Sequence, residues 1–445
     1  MDEVINFSLE KISFHLQRGD FSPVDLLRFY MNRIDRLNPV LNCYVEIFLS
    51  KALKQAMLAE KDFLSGKYLG PLHGIPFSFK DFFDYSGKVT GGGTQCFHEK
   101  KIMSAPVIQY LENLGMIAIG KNCAVELGMG ASGVSESGLT PVNPWRSHMY
   151  YAPGGSSSGS AVAVSSSLTP IALATDTGGS TRIPAGWCGV TGLRPSSNNL
   201  SLKGVLPLSQ TMDTVGLIGK TAADISLVYK QLVPQLCNFK QLISFNLASL
   251  PPEEMSSVDA ESAVIFDNTL RTLESEIFKI ETIPFFTSLD NCMKINSIIT
   301  SFEAWKNYSY LCKNGSGLGP KIIKKLSKGK NINEEDYISA LKHCRIFREN
   351  ASSWFSQIDA LLIPTTPSSA WLIEDDNKYT PPNDFTRFVN FLDLCAVSIP
   401  IGINTNGMPV SLQIVCRNGD DLKALYIAEI IENRILFRMR FDQIN

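Results

Sequence analysis

The chain has 445 residues, 44% of them hydrophobic and 19% charged, and 41 Lys+Arg against 43 Asp+Glu give a formal net charge of −2. Such a chain can bury a large core. Its balance excludes disorder, a collagen-like fibre and a polybasic nucleic-acid binder, and no direct contact with nucleic acid is expected. No apolar run reaches the roughly 18 residues of a membrane span; the longest candidate, 391–403, is broken by Asp393. Met1-Asp2-Glu3-Val4 lacks the basic-then-apolar pattern of a secretory signal. Ten cysteines occur without a Cys-x-x-Cys pair, which fits reduced thiols better than a disulfide frame or a zinc site. A soluble cytoplasmic protein is expected.

The first elements read as helices. Ser22-Pro23 is a cap and first-turn pair, and Leu26, Leu27, Tyr30 and Ile34 follow at helical spacing to a stop near Asn38-Pro39. A second helix is expected over 52–64. From residue 70 to 219, short apolar runs alternate with Gly, Ser, Pro and Thr clusters. This predicts a strand at 75–79, a helix at 105–113, a strand at 116–120, a small-residue helix around 161–164 and a buried strand at 171–174. Strands alternating with helices indicate an α/β fold. Residues 240–350 carry longer helical patterns, whereas 360–364 and 397–403 return to buried-strand character. The sheet is therefore expected to receive strands from both ends of the chain. With no repeat and no long linker, residues 1–445 read as one domain.

Metal and nucleotide chemistry find little support. His15, His73, His98, His148 and His343 form no His-x-x-x-His pair, and no phosphate loop ending in Gly-Lys-Ser/Thr occurs. No cofactor and no metal are expected. The chemistry lies in three other stretches. The first is Ala152-Pro153-Gly154-Gly155-Ser156-Ser157-Ser158-Gly159-Ser160. Alone it reads as a flexible loop, but Ala161-Val162-Ala163-Val164 follows at once, so the loop runs into a core helix. It also matches Gly-x-Ser-x-Gly, a nucleophile elbow with Ser157 at its centre; His343 is the only histidine beyond residue 148 to serve it.

The second stretch is Thr175-Asp176-Thr177-Gly178-Gly179-Ser180-Thr181-Arg182. Consecutive amides from Thr177, Gly178, Gly179 and Ser180 can converge on one oxygen, as an oxyanion hole requires, with the Ser180 hydroxyl at the edge of that nest. The third is Lys80, set between apolar residues in Phe77-Ser78-Phe79-Lys80-Asp81-Phe82-Phe83. Desolvation disfavours its ammonium form and lowers its pKa. With no histidine in reach, Lys80 is the leading candidate base.

Together these stretches resemble the amidase signature family of amide hydrolases. The resemblance continues through Gly70-Pro71-Leu72-His73-Gly74-Ile75-Pro76, Cys188-Gly189-Val190-Thr191-Gly192-Leu193-Arg194-Pro195, Asp213-Thr214-Val215-Gly216 and Asp359-Ala360-Leu361-Leu362-Ile363-Pro364-Thr365. It implies an amidase-signature fold, a large mixed β-sheet covered by helices on both faces. About 65–225 would form the signature core, about 235–350 a variable helical segment, and about 355–445 a return to the core. By the same resemblance Ser180 is the nucleophile, Lys80 the base and Ser156 a bridging serine in cis peptide geometry. Ser157, Asp176 and Arg182 would support the loop, and Met129-Gly130 would line the acyl pocket. Ser158 stands where relatives often have a second glycine. Trp305, Tyr308 and Tyr310 are candidates to cover the pocket.

The implied activity is hydrolysis of a small linear amide to a carboxylic acid and ammonia or an amine. Two alternatives share the motifs. One is the A subunit of a tRNA-dependent amidotransferase, a glutaminase that needs partner subunits; Asp384 lies near where that subunit holds the glutamine amino group, with spacing off by one. The other is an allophanate-type hydrolase, to which Phe388-Val389-Asn390-Phe391-Leu392-Asp393-Leu394-Cys395-Ala396 is similar. The resemblance also leaves a homodimer open.

Overall fold

The computed structural model describes residues 1–236, 243–312 and 317–435. Its strands are Tyr44–Ile47 (β1), Pro76–Lys80 (β2), Ile117–Asn122 (β3), Ile171–Asp176 (β4), Thr191–Arg194 (β5), Thr214–Gly219 (β6), Phe245–Ser249 (β7), Phe278–Thr282 (β8), Ala360–Pro364 (β9), Cys395–Ile403 (β10) and Pro409–Cys416 (β11). They form one 11-stranded sheet in the order β1-β3-β2-β4-β6-β5-β10-β11-β9-β7-β8. Pairing is mixed: β3, β2 and β4 run parallel, as do β9, β7 and β8, and antiparallel pairs join these blocks. Both ends of the chain supply strands, as expected.

Alternation along the strands separates two buried faces. Phe77, Phe79, Leu173, Val215, Leu217, Val397, Ile399, Leu412 and Ile414 join one continuous core. The opposite face is covered in two patches. Ile117, Ile119, Ala172, Ala174 and Ile218 pack with the helix Ser158–Ser165. Leu361, Ile363, Ala396 and Val415 pack under elements from residues 285–392. Helices thus lie on both faces, which purely parallel or mixed buried sheets require.

Most predicted elements are present, with instructive differences. The helix Pro23–Leu41 begins with a complete capping box between Ser22 and Asp25 but runs past Asn38-Pro39. Pro39 falls in the last turn, where it forfeits its own N–H bond two residues before the helix ends. The chain then turns because the Asn38 side chain accepts the Cys43 and Tyr44 amides at 3.0 and 2.9 Å. The segment 235–350 is not purely helical, since β7 and β8 lie within it.

The helix Ser158–Ser165 is buried along its whole length. Gly159 allows that placement: a Cβ there would stand 2.5 Å from both Cys123 N and Cys43 O. Overpacking against backbone destabilises by about 1–3 kcal/mol. Gly159→Ala is accordingly expected to lower unfolding stability by about that amount, read as a reduced urea midpoint at unchanged m-value. An unaltered midpoint would contradict this close packing.

Candidate active site

Lys80 is the last residue of β2 and Asp176 the last of β4, and these are neighbouring parallel strands. Carboxyl ends of parallel strands are where open α/β sheets collect ligands. Lys80 is fully buried, and its Nζ donates to Ser156 Oγ at 2.7 Å and to Thr175 Oγ1 at 2.8 Å. Burial pushes its pKa down to about 7, although Asp213 and Asp176 pull it up. Asp213 moves the other way: burial raises it to about 7 against hydrogen bonds from Thr177 Oγ1 at 2.5 Å and the Leu208 and Ser209 amides. Asp213 and Lys80 therefore both change charge near neutrality.

Ser156 follows a cis Gly155–Ser156 peptide bond. Its carbonyl accepts the Val125 amide at 3.1 Å, and the next amide, that of Ser157, donates to Ser180 O at 3.2 Å. Ser157 Oγ is committed to the Thr175 carbonyl at 3.2 Å. This locks the serine loop onto the strand end, and it is not the exposed hydroxyl of a nucleophile elbow. His343 is exposed on the helix Glu334–Trp354 and bonds its own helix, through Ser339 O. Ser158 is buried with its hydroxyl unpaired.

The turn after β4 is held by one buried network. Arg182 Nε and Nη2 reach the two Asp176 carboxylate oxygens at 3.1 and 3.0 Å. Nη2 also donates to Thr386 O and Asn390 Oδ1, and Nη1 to Gln413 Oε1 at 2.9 Å. Burial alone would raise the Asp176 pKa, but Arg182, with Arg194 and Asn390, holds it well below the usual carboxylate range. The same carboxylate accepts the Gly179 amide at 2.9 Å and the Thr181 amide at 3.1 Å. That corrects one expectation: the Gly179 N–H points at Asp176, leaving Thr177, Gly178 and Ser180 as the candidate oxyanion donors. Gly179 has φ +113°, and a Cβ there would fall 2.3 Å from Thr386 Oγ1. Thr386 Oγ1 in turn donates to Gly178 O at 2.7 Å.

Ser180 is partly exposed and opens onto a cavity of about 340 Å³ that Met129, Gly130, Thr177 and Gly178 also line. Ser156 faces a far smaller inner space of about 10 Å³ with Thr175, Thr177 and Asp213. Thr177 borders both. The structure brings Lys80, Ser156, Ser157, Asp176, Ser180 and Arg182 together around this turn, and no hydrogen bond joins the Ser156 and Ser180 hydroxyls. Among the described residues no cluster of His, Cys, Asp and Glu is able to hold a metal ion. No helix among them is long and apolar enough to cross a membrane.

Several aromatic and acidic expectations move elsewhere. Tyr308 is buried in a cluster with Leu127, Leu311 and Leu326 and donates to Pro207 O at 2.5 Å; Tyr310 is exposed. Neither they nor Trp305 line the cavity. Asp384 does not line it either, while Asn383 does. Residues the sequence reading missed, Arg387, Lys325 and Lys328, also border it; only the folded chain brings them to Ser180.

The family model described as Amidase matches residues 25–425. Among curated proteins the chain is similar to the A subunit of the glutamyl-tRNA(Gln) amidotransferase of Protochlamydia amoebophila, 27% identical across 97% of this chain and 96% of that one. The corresponding subunit of Nitrosococcus oceani is 29% identical, with 95% and 96% covered. A solved amidase structure superposes with a TM-score of 0.89 at 25% identity, covering 96% of this chain and all of the other. The chain therefore belongs to the amidase signature family and is an enzyme that hydrolyses amide carbon–nitrogen bonds.

Proposed function

We propose that the chain hydrolyses a small linear amide to a carboxylic acid and ammonia through an acyl-enzyme on Ser180. The observation that carries this reading is the buried Lys80 Nζ, 2.7 Å from Ser156 Oγ and tuned to about 7. A neutral amine at that position takes a proton from Ser156 as Ser156 takes one from Ser180. Ser180 Oγ then adds to the amide carbon, and its developing oxyanion is met by the Thr177, Gly178 and Ser180 amides. The relay returns a proton to nitrogen, the carbon–nitrogen bond breaks and ammonia leaves. Water, deprotonated through the same relay, cleaves the ester and restores Ser180.

A second reading has this chemistry serve as the glutaminase component of a tRNA-dependent amidotransferase, with ammonia passed to partner subunits. It rests on the curated relatives, which match nearly the whole chain. The two readings share a nucleophile and differ in substrate and assembly.

Ammonia release from short aliphatic amides, glutamine, asparagine and allophanate tests the chemistry. Lys80→Ala is expected to lose about 10²–10⁴-fold in rate, the contribution of a positioned general base. Ser180→Ala is expected to lose roughly 10⁴-fold or more, and a variant with full activity would remove Ser180 from the role of nucleophile.

The pH dependence follows from Lys80. Only its neutral form accepts a proton, and that form becomes the major one as pH rises through about 7. The value of kcat/KM should therefore fall below that pH and level off above it. Asp213 stabilises the ammonium form, so Asp213→Asn is expected to move the limb to lower pH. A limb that stays in place or moves upward would contradict the assignment of Lys80 as base.

A further inference from the structure

The cavity in front of Ser180 is electrically one-sided. Lys325, Lys328 and Arg387 line it, and among the described residues no Asp or Glu does, in a chain whose formal net charge is −2. Lys325 and Lys328 come from the helix Pro320–Ser327, which is anchored by buried Ile322 and Leu326, and the turn after it. Arg387 opens the helix Arg387–Phe391. Lys328 is exposed, the usual state of a solvated lysine, but Lys325 and Arg387 are half-buried. Lys325 Nζ donates to Met129 O at 2.7 Å, and Arg387 Nη1 donates to Ser297 Oγ at 3.1 Å. Among the described residues neither has a carboxylate within 4.0 Å.

Nearby acids are turned to other work. Asp384 interacts electrostatically with Arg387 and bonds Ser257, and its neighbour Asn383 is the residue that lines the cavity. Glu126, Glu136 and Asp376 border an adjoining groove across the Met129–Ala131 turn. Lys325 borders that groove as well and interacts electrostatically with Asp376, which also accepts Trp371 Nε1; Glu126 accepts the Gly319 amide and the Ser135 and Ser137 hydroxyls, and Glu136 pairs with Lys321.

Position adds a length. Arg387 packs on Gly178, where a Cβ would lie 3.2 Å from Arg387 Cγ and 3.6 Å from Nε. Consecutive Cα atoms are about 3.8 Å apart, so Gly178 and Ser180 are separated by at most roughly 7.6 Å. A guanidinium held there faces a group only a few bonds from the carbon that Ser180 attacks.

We infer that the amide this enzyme takes is an anion, the monoamide of a short dicarboxylic acid such as succinamate or glutaramate, with its free carboxylate on Arg387 and Lys325. The inference rests on Ser180 being the nucleophile, as proposed above. Arg offers a planar fork matched to a carboxylate, and a desolvated cation without a carboxylate at ion-pairing distance favours a ligand that supplies one. The same wall disfavours an α-ammonium group, because no lining acid receives it; glutamine and asparagine are therefore poorer substrates than their deaminated counterparts. The carboxylate takes no part in bond breaking, and the reaction yields the dicarboxylate and ammonia.

The test compares kcat/KM for glutaramate, succinamate, butyramide and glutamine, using wild type, Arg387→Gln and Lys325→Gln. In parallel, glutarate and butyrate are titrated calorimetrically into Ser180→Ala, with and without Arg387→Gln, and melting temperatures check that each variant folds. Wild type is expected to favour the anionic amides over butyramide by roughly tenfold or more, and each cation removal to shrink that ratio, Arg387→Gln by about tenfold. Glutarate should bind where butyrate does not, more weakly in high salt and about tenfold more weakly without Arg387. Equal use of glutaramate and butyramide, a ratio unmoved in folded Arg387→Gln, or a preference for glutamine over glutaramate overturns the inference. So does glutarate that fails to bind. If Ser180→Ala keeps its activity, the nucleophile reading falls separately. If no amide is turned over, glutarate binding and its dependence on Arg387 decide the question.

Discussion

The site depends on one buried ion pair. Asp176 and Arg182 are both fully excluded from solvent, and the carboxylate meets the guanidinium through two hydrogen bonds. Two charges in a low-dielectric interior are stable only when geometry and further hydrogen bonds compensate desolvation. Here Asn390, Gln413, the Thr386 carbonyl and the Gly179 and Thr181 amides supply those bonds. Removing either partner would strand a charge, a loss of about 3–5 kcal/mol in comparable cases. What the pair shapes is the Thr177–Ser180 turn, because two of its bonds go to amides within and just after it. Since Arg182 is tied to Thr386 across 204 positions of sequence, the turn also carries the Arg387 helix with it.

A second constraint is desolvation without a strong compensating charge. Lys80 touches two hydroxyls, and among the described residues no carboxylate lies within ion-pairing distance of it. The Asp176 charge, though near, is already neutralised by Arg182. Asp213 is itself pushed up by burial. The pair network and the lysine thus share one logic: the arginine offsets part of the pull that Asp176 exerts on the Lys80 ammonium. A lysine with a pKa near neutrality is what base chemistry without histidine requires.

Much of this was legible in the chain and part was not. Lys80 stands in an apolar strand and Ser156 in a Gly-bounded loop before a small-residue helix, and both features are local. The strands β9 and β10 are apolar runs and read directly. By contrast β7, Phe-Asn-Leu-Ala-Ser, and the edge strand β8, Phe-Lys-Ile-Glu-Thr, mix polar and apolar residues, and pairing rather than composition makes them strands. The Gly179 amide reads in sequence as one of four equivalent donors; only the folded Asp176 carboxylate distinguishes it. The cationic wall was invisible for a related reason. Lys325 and Arg387 look like ordinary solvated charges until the sheet brings β4 beside elements from the second half of the chain.

On the proposed mechanism Ser180, activated through Ser156 by neutral Lys80, is the group that becomes acylated. Labelling with a fluorophosphonate, followed by peptide mass mapping, addresses it directly because the reagent traps an activated serine hydroxyl. One adduct is expected, on Ser180, formed faster as pH rises through about 7 and nearly abolished in Lys80→Ala. An adduct on Ser156 or Ser157, or labelling of Ser180 indifferent to Lys80, would contradict it.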